Sequence, residues 1–392
     1  MEVALNETDE LIKYYFKSGY THVEIAATLS CCYDVNISIC QLQRELQRLE
    51  LYRHRQQTDI DQVRRFILNL LQRGGELHGY RWMHLRLVKA GMVVSRENVR
   101  KILLELDPEG VKLRKRRRLV RRRYSARGPN FVWHVDSMDK LKPYGIGING
   151  CIDGFSRKLI WLEANSTTND PAYIGGFFLK AVERIGGCPT LVRTDKGTEN
   201  GHIAAFQMFL RNHDDTFAGK KSYLSGQSTA NQRIESWWGQ LRKQCTEFWI
   251  LIFKYLIHEG HFSGDLLDKE LVRFVFMRLI QDDLDRTAEL WDTHLIRRSK
   301  QDHVTNRRPL VMFQLPQVYH SRDHIKQVDQ RRIDLCKESS KFKDQYPCDR
   351  DLFEYCLNTI IFNEWEIPTT PEGSMLFYIN LRDCVRREIG FF

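Results

Sequence analysis

Two hydrophobic periodicities divide the chain into helical ends and a mixed centre. In residues 8–51 and 59–106, apolar positions recur every three to four residues, which predicts three short helices in each stretch. Between residues 131 and 224, short apolar runs of strand length alternate with longer helical patterns. After Trp249 the pattern is helical again. The expected fold class is therefore α/β, a mixed sheet with flanking helices, preceded by helical modules and followed by a mainly helical region.

Capping residues indicate where the first helices begin. Thr8 is expected to cap the first of them. Thr21 with Glu24, and Ser38 with Gln41, have the spacing of capping boxes, in which each side chain bonds the other residue's backbone N–H. These signals predict the starts of the second and third helices.

The first module has the pattern of a helix-turn-helix. A turn around Gly19 separates the first two helices, and the third carries Arg44 and Arg48. The alternative is a small helical bundle that binds protein. Residues 59–106 repeat the plan, and their third helix, capped by Ser95, carries Arg96 and Arg100. All four arginines are candidate DNA contacts, because third helices of such modules reach base edges.

Element limits in the centre follow from the same patterns. Strands are expected at Phe131–Leu141, Tyr144–Asp153, Leu159–Ala164, Thr190–Thr194 and Ser222–Leu224. Helices are expected to start near Pro171, Ile203 and Arg233, and a helix is expected over Leu266–Arg298. The segment RRPLVMFQLP, which follows that helix, is expected to be extended.

Three acidic residues stand out in the centre. Asp136 interrupts the apolar run FVWHVDSM, Asp195 ends the run TLVRTD, and Glu235 lies in a helix whose Ile234 and Trp238 follow inward spacing. A carboxylate at the end of an apolar strand is unfavourable unless it is paired or binds metal. Three such groups on different elements are suited to a hard divalent cation such as Mg²⁺, which prefers oxygen ligands.

These acids lie in motifs that resemble a known family. WHVDSMD, RTDKGTEN and NQRIE are similar to the catalytic core of DDE transposases and retroviral-type integrases, with 59 and 40 residues separating the three acids. The resemblance implies a ribonuclease-H-like fold and a Mg²⁺- or Mn²⁺-dependent enzyme that cleaves and joins DNA strands. It implies that Asp136, Asp195 and Glu235 are both the catalytic residues and the metal ligands. Lys196 and Asn231 are further candidates for DNA or loop contacts.

Other acids near these motifs have simpler explanations. Asp139 lies where the first strand ends, and Asp153 is expected to hold the following turn with Ser156 or Arg157. Asn200 is a candidate for positioning the substrate or the loop after Asp195. None of them replaces the three acids in the predicted site.

The net charge of +10 is concentrated in one segment. Lys112–Arg127 contains ten Lys or Arg and no acid. Such a segment binds DNA phosphates without sequence preference and is also suited to a nuclear localisation signal, although a solvated linker is the simpler alternative. Its candidate DNA contacts are Arg114, Lys115, Arg116, Arg117, Arg118, Arg121, Arg122 and Arg123. We therefore predict double-stranded DNA as the partner and the nucleus as the location.

Composition excludes other classes. With 42% hydrophobic and 28% charged residues the sequence is globular, and no apolar run is long enough to cross a membrane. The acidic start of the chain does not resemble a signal peptide. The ten cysteines are scattered and lack zinc-site spacing, which predicts reduced core thiols in an intracellular protein.

The expected organisation is therefore two helix-turn-helix-like modules (1–56 and 57–110), a basic linker (111–130), a catalytic core (131–256) and a helical C-terminal region (257–392). The resemblance favours a transposase or integrase acting at element ends and on target DNA. We expect a homo-oligomer on DNA, because joining two ends requires two active sites. Two alternatives are a domesticated, sequence-specific DNA-binding protein with a non-catalytic core, and a structure-selective nuclease of the same fold.

Overall fold

The structure is a computed structural model that describes residues 2–52, 57–73, 75–115, 126–212, 215–296 and 307–389. Six predicted DNA contacts, Arg116, Arg117, Arg118, Arg121, Arg122 and Arg123, lie outside these ranges. The chain forms two compact units: residues 1–129 with 289–323, and residues 130–288 with 324–392. The domain limits given above stay predictions.

The described residues are mainly helical and include one five-stranded sheet. The helices are α1 Glu2–Lys17, α2 His22–Tyr33, α3 Ile39–Arg48, α4 Ile60–Gln72, α5 Tyr80–Lys89, α6 Arg96–Leu106, α7 Pro108–Lys115, α8 Pro171–Ile185, α9 Gly201–Leu210, α10 Gln232–Leu241, α11 Glu247–His258, α12 Leu266–Thr293, α13 Pro309–Gln314, α14 Gln330–Lys337, α15 Arg350–Phe362 and α16 Pro371–Ile389. The strands are β1 Val132–Met138, β2 Gly147–Asp153, β3 Leu159–Asn165, β4 Leu191–Thr194 and β5 Tyr223–Ser225. Within the described ranges no helix has the length and apolar character that a membrane crossing needs.

The first unit contains two separate hydrophobic cores. α1, α2 and α3 bury one core around Ile12, Ile25 and Leu42. α4, α5 and α6 bury a second core around Val63 and Ile102. Each trio of helices therefore has the buried face that its apolar spacing predicted.

The predicted caps of the first module are partly correct. Both capping boxes form, at Thr21 with Glu24 and at Ser38 with Gln41. The expectation for Thr8 was wrong, because α1 already begins at Glu2 and Thr8 lies inside it. The sequence ahead of Thr8 contains no glycine or proline, so the helix extends past the local capping signal.

The segment predicted to be extended after α12 is instead helical. α13 begins with Pro309 at its first position, where the missing N–H is not needed for a helical hydrogen bond. Val311 and Leu315 are buried in the core of the first module, four residues apart on one face. Arg308 is also buried, and it donates hydrogen bonds to Glu24 and to the carbonyl of Gly19. Packing against the first module thus decides the structure of this segment.

The second unit is built on a five-stranded mixed sheet in the order β3-β2-β1-β4-β5. β1, β2 and β3 pair antiparallel, whereas β4 pairs parallel with both β1 and β5. Strands of both directions with helices around them confirm the predicted ribonuclease-H-like α/β class. The first strand is shorter than predicted, because a 3-10 turn containing Pro143 begins at Asp139.

The C-terminal segment 324–389 completes this unit by covering the sheet domain. Lys326 pairs with Cys188 beside β4, and the Lys341 backbone N–H donates to the carbonyl of Ala172 on α8. Gly176 makes the second contact possible, since a Cβ there would lie 2.1 Å from the Lys341 carbonyl oxygen. The sequence patterns predicted helices in this region but no function. In the structure the region packs against the strands and helices of the second unit.

The cysteines only partly follow the expected pattern. All ten are free thiols. Five are buried, but Cys31, Cys32 and Cys40 are exposed on the first module and are not core residues.

Candidate active site

Strand register places two of the three acids side by side. β1 and β4 pair in parallel with Val132 opposite Leu191 and His134 opposite Arg193. Continuing this register by two residues places Asp136 next to Asp195, with their side chains on the same face as that of His134. The spacing of 59 residues between the acids equals the register offset of the two strands. Their proximity is therefore a property of the sheet.

The third acid is brought in by a helix that is fixed to β1. Asn231 directly precedes α10 and is fully buried, and its Nδ2 donates to the carbonyl of Val135 over 2.8 Å. Its Oδ1 lies 2.7 Å from Nδ1 of the buried His134. Burial lowers the pKa of His134 to about 3, so the ring is neutral and its Nδ1–H donates to Asn231. These two bonds anchor the end of α10 that carries Glu235.

The surroundings of Asn231 argue against the DNA contact, which was one of its two predicted roles. It was a candidate for a DNA or loop contact, but its side chain has no exposed surface and its amide is hydrogen-bonded to His134 and Val135 of β1. Burial of a side chain with four hydrogen-bonding sites requires internal partners, which β1 supplies. Lys196 is exposed beside Asp195, and its DNA contact stays a prediction.

The three carboxylates interact electrostatically with one another. The pKa of Asp136 is raised to about 7, mainly by burial and also by the carboxylates of Glu235 and Asp195, while hydrogen bonds from Trp238 and the Ser137 backbone lower it. Glu235 remains accessible in the first turn of α10, yet partial desolvation and then Asp195 raise its pKa. Like charges this close are unfavourable, and a bound cation would reverse that effect.

Hydrogen bonds orient the first two acids. The Trp238 indole Nε1–H donates to Oδ2 of Asp136 over 2.8 Å. Asn200 is buried, and its Nδ2 donates to Oδ1 of Asp195 over 2.9 Å. Asn200 was expected to position the substrate or the loop after Asp195. Through this hydrogen bond it orients the side chain of Asp195 itself. The role of Trp238 was missed, although its spacing of three residues from Glu235 places both on one helix face.

The donor set fits a hard divalent cation. It consists of three carboxylates, one on β1, one directly after β4 and one on α10, and carboxylate oxygens are the ligands that Mg²⁺ and Mn²⁺ prefer. Within the part of the chain that the structure describes, no three Asp, Glu, His or Cys side chains are arranged to hold an ion by themselves. Mg²⁺ does not require such a cage, because one or two carboxylates, waters and a substrate phosphate commonly complete its shell.

The neighbouring acids are used elsewhere. Asp139 is exposed and accepts hydrogen bonds from Lys142 and Thr168. Asp153 is fully buried and holds the β2–β3 turn through Ser156, as expected. The predicted preference for Asp136 over these two acids agrees with their surroundings.

Replacing Asp153 with Asn should destabilise the fold by about 1–3 kcal/mol. The pKa of Asp153 is raised to about 6, because burial outweighs the four hydrogen bonds that lower it. Oδ2 accepts from Ser156 twice and from Phe155, and Oδ1 accepts from the backbone N–H of Asn130. In asparagine, an NH₂ group replaces one carboxylate oxygen. It would face one of these hydrogen-bond donors and cannot accept its hydrogen bond. Urea unfolding measures the change.

The matched control is Asp139→Asn, which removes an exposed carboxylate and should change the free energy of unfolding by no more than about 0.5 kcal/mol. Equal stability of the two variants would contradict the role assigned to the Asp153 carboxylate.

A mixed sheet with one acid on β1, a second directly after the parallel strand β4 and a third on the helix α10 is typical of an integrase-type core. Comparison with protein families agrees: the family described as Integrase core domain matches residues 123–318, half of the chain. The chain belongs to the integrase core domain family, and its function is of the general transposase and integrase type. This family typically consists of polynucleotidyl transferases that use divalent metals and bind DNA. A search among curated proteins finds no match for this chain.

Proposed function

We propose that this protein is a metal-dependent DNA transferase that cleaves DNA at the ends of a mobile element and joins the released 3′ ends to target DNA. The observation that carries the proposal is the parallel β1–β4 register, which places Asp136 beside Asp195 and within electrostatic range of Glu235. A core that served only as a scaffold would gain stability by losing these mutually repelling charges.

The division of labour among the residues follows from their contacts. Asp136, Asp195 and Glu235 would hold Mg²⁺ or Mn²⁺. When bound, the ion would polarise the phosphodiester and activate the attacking hydroxyl group. Asn231 fixes the helix that carries Glu235, and Asn200 orients Asp195. Buried hydrogen bonds thus hold the metal ligands in position before the metal and DNA bind. Such preorganisation favours catalysis, because the ligands need not be rearranged during the reaction.

The proposed partners are element-end and target DNA, bound by a homo-oligomer in the nucleus. The two three-helix modules supply candidate helices for base contacts, with Arg44 on α3 and Arg96 on α6 exposed to solvent. The basic segment 112–127 is proposed as a DNA tether and nuclear localisation signal. Within it, Arg114 forms an ion pair with Asp107 of the first unit, so its charge is partly neutralised there.

The two arginines of α3 should contribute unequally to binding. Arg48 donates hydrogen bonds to the carboxylates of Asp9 and Glu45, whereas Arg44 is exposed on the same helix. We expect Arg44→Gln to weaken specific DNA binding about 5- to 150-fold, because a lost base contact costs about 1–3 kcal/mol. Arg48→Gln is the matched control and should have the smaller effect, since two acids already neutralise its charge.

Fluorescence anisotropy with DNA that flanks the gene, measured at two salt concentrations, distinguishes the two arginines. Equal losses for both variants would contradict the unequal contribution, and no loss for either would show that these arginines of α3 do not read bases.

The test of the proposed function incubates the full-length protein with labelled DNA that flanks its gene and Mn²⁺. Nicked ends that are then joined to a second DNA are the expected products. Specific binding without cleavage at any metal concentration would overturn the enzymatic proposal and favour a DNA-binding protein that retains the fold. Cleavage of any branched DNA without sequence preference would instead favour a structure-selective nuclease.

A further inference from the structure

We propose that Trp238 is the positioning residue for Asp136, and that Gly150 is the residue that makes room for its indole ring. This inference rests on the proposed function, since it concerns how one of the three acids is presented to the metal. Neither residue carries charge, and neither belongs to the three acidic positions.

The contact between Trp238 and Asp136 is specific and largely shielded. The indole Nε1–H donates to Oδ2 of Asp136 over 2.8 Å, and only 8% of Trp238 is exposed. A hydrogen bond to a charged acceptor in a site with little water is stronger than a neutral one. Tryptophan is a donor only, so it holds the carboxylate without competing for the cation.

The same helix presents both Trp238 and Glu235. The two residues are three positions apart on α10, so their side chains are neighbours on the surface of the helix. Asn231 fixes this end of α10 to Val135, the residue before Asp136. The orientation of Asp136 and the position of Glu235 are therefore set by a single rigid element.

Gly150 explains why the indole fits. On the antiparallel partner strand, Gly150 lies directly opposite Asp136. A Cβ at this position would lie 2.8 Å from Cη2 of Trp238 and 3.2 Å from Cδ1 of Leu162. Both are buried parts of the core with little freedom to move. Any side chain at position 150 would displace the ring that holds Asp136.

The indole N–H resonance of Trp238 gives a readout that does not depend on catalysis. It is identified in the ¹⁵N–¹H spectrum as the indole signal missing from Trp238→Phe. We expect it to move in Asp136→Asn and on titration of the wild type with Mg²⁺ alone. The reference is the indole of Trp249, which donates to Oδ2 of Asp283 over 3.0 Å and should not move.

The functional arm compares Trp238→Phe with Trp249→Phe, which loses the same kind of indole–carboxylate bond away from the three acids. At limiting Mn²⁺, Trp238→Phe should lose about 10- to 100-fold in kcat, the usual effect of removing a group that orients a metal ligand. KM for DNA should stay unchanged, and high Mn²⁺ should restore much of the rate. Trp249→Phe should keep the wild-type dependence on Mn²⁺.

Gly150→Ala provides a second, independent variant and should raise the Mn²⁺ requirement in the same direction as Trp238→Phe. If both variants keep the wild-type dependence on Mn²⁺ while the wild type is active, the positioning role is wrong and the proposed function stands. If the wild type neither cleaves DNA nor shifts the Trp238 resonance with Mg²⁺, the proposed function fails and the inference fails with it.

Discussion

Asp195→Asn is expected to lower DNA cleavage and strand transfer by about a thousandfold or more. Metal coordination supplies several kcal/mol of transition-state stabilisation, and each 1.4 kcal/mol corresponds to about tenfold in rate. The substitution keeps the size of the side chain and an oxygen that can accept from Asn200, so the loop after β4 should keep its structure. The loss should therefore appear in kcat and in the dependence on Mn²⁺.

Asp139→Asn is the control for this experiment, because Asp139 is an exposed acid three residues after Asp136 that bonds Lys142 and Thr168. It should retain nearly full activity. DNA affinity measured without metal should be the same in both variants and in the wild type. Full cleavage and joining by Asp195→Asn would contradict the assignment of Asp195 and with it the proposed mechanism.

Arg382→Gln is expected to destabilise the second unit by about 3–5 kcal/mol, the usual cost of breaking a buried ion pair from one side. Asp268 near the start of α12 is fully buried, and Arg382 of α16 donates to its Oδ1 over 2.7 Å and to its Oδ2 over 3.3 Å. Without Arg382, the carboxylate keeps Ser263 and Arg386 as partners but loses its most buried counter-charge. The free energy of unfolding in urea measures the loss.

The contribution of Asp268 should also depend on pH. Burial alone raises the pKa of Asp268, but hydrogen bonds from Arg382, Ser263 and Arg386 outweigh that effect and leave it below the ordinary value. Because the folded-state pKa is depressed, the stabilisation is present above the unfolded-state pKa of about 3.9 and is lost as the pH falls through the folded-state value. Arg382→Gln should therefore lose part of this acid dependence.

Arg350→Gln serves as the surface control, because Arg350 pairs with Glu354 on α15 where both side chains are more than half exposed. Its effect should be far smaller than that of Arg382→Gln, because water and salt screen an exposed pair. Equal stability of the Arg382 and Arg350 variants would show that α16 does not anchor the second unit through this pair.

Local patterns were sufficient where the physical cause is local. The capping boxes at Thr21 and Ser38 and the start of α8 at Pro171 depend on residues within one turn, and all three were predicted. The extended structure expected after α12 was wrong because a distant core, that of the first module, buries Val311 and Leu315. Thr8 failed for the opposite reason: a local capping signal was present, but the helix continues through it.

By itself the sequence determined the α/β class and the order of the elements, and its motifs singled out Asp136, Asp195 and Glu235 as the candidate site, because hydrophobic periodicity and motif order are properties of the chain. Only the tertiary structure decided how these acids are held. Asn231 was a candidate for a DNA or loop contact, and in the structure it is buried and hydrogen-bonded to β1. Trp238 was predicted only to face inward, and in the structure its indole donates a hydrogen bond to Asp136. Both contacts join residues about a hundred positions apart, and only the packing of α10 against β1 brings such residues together.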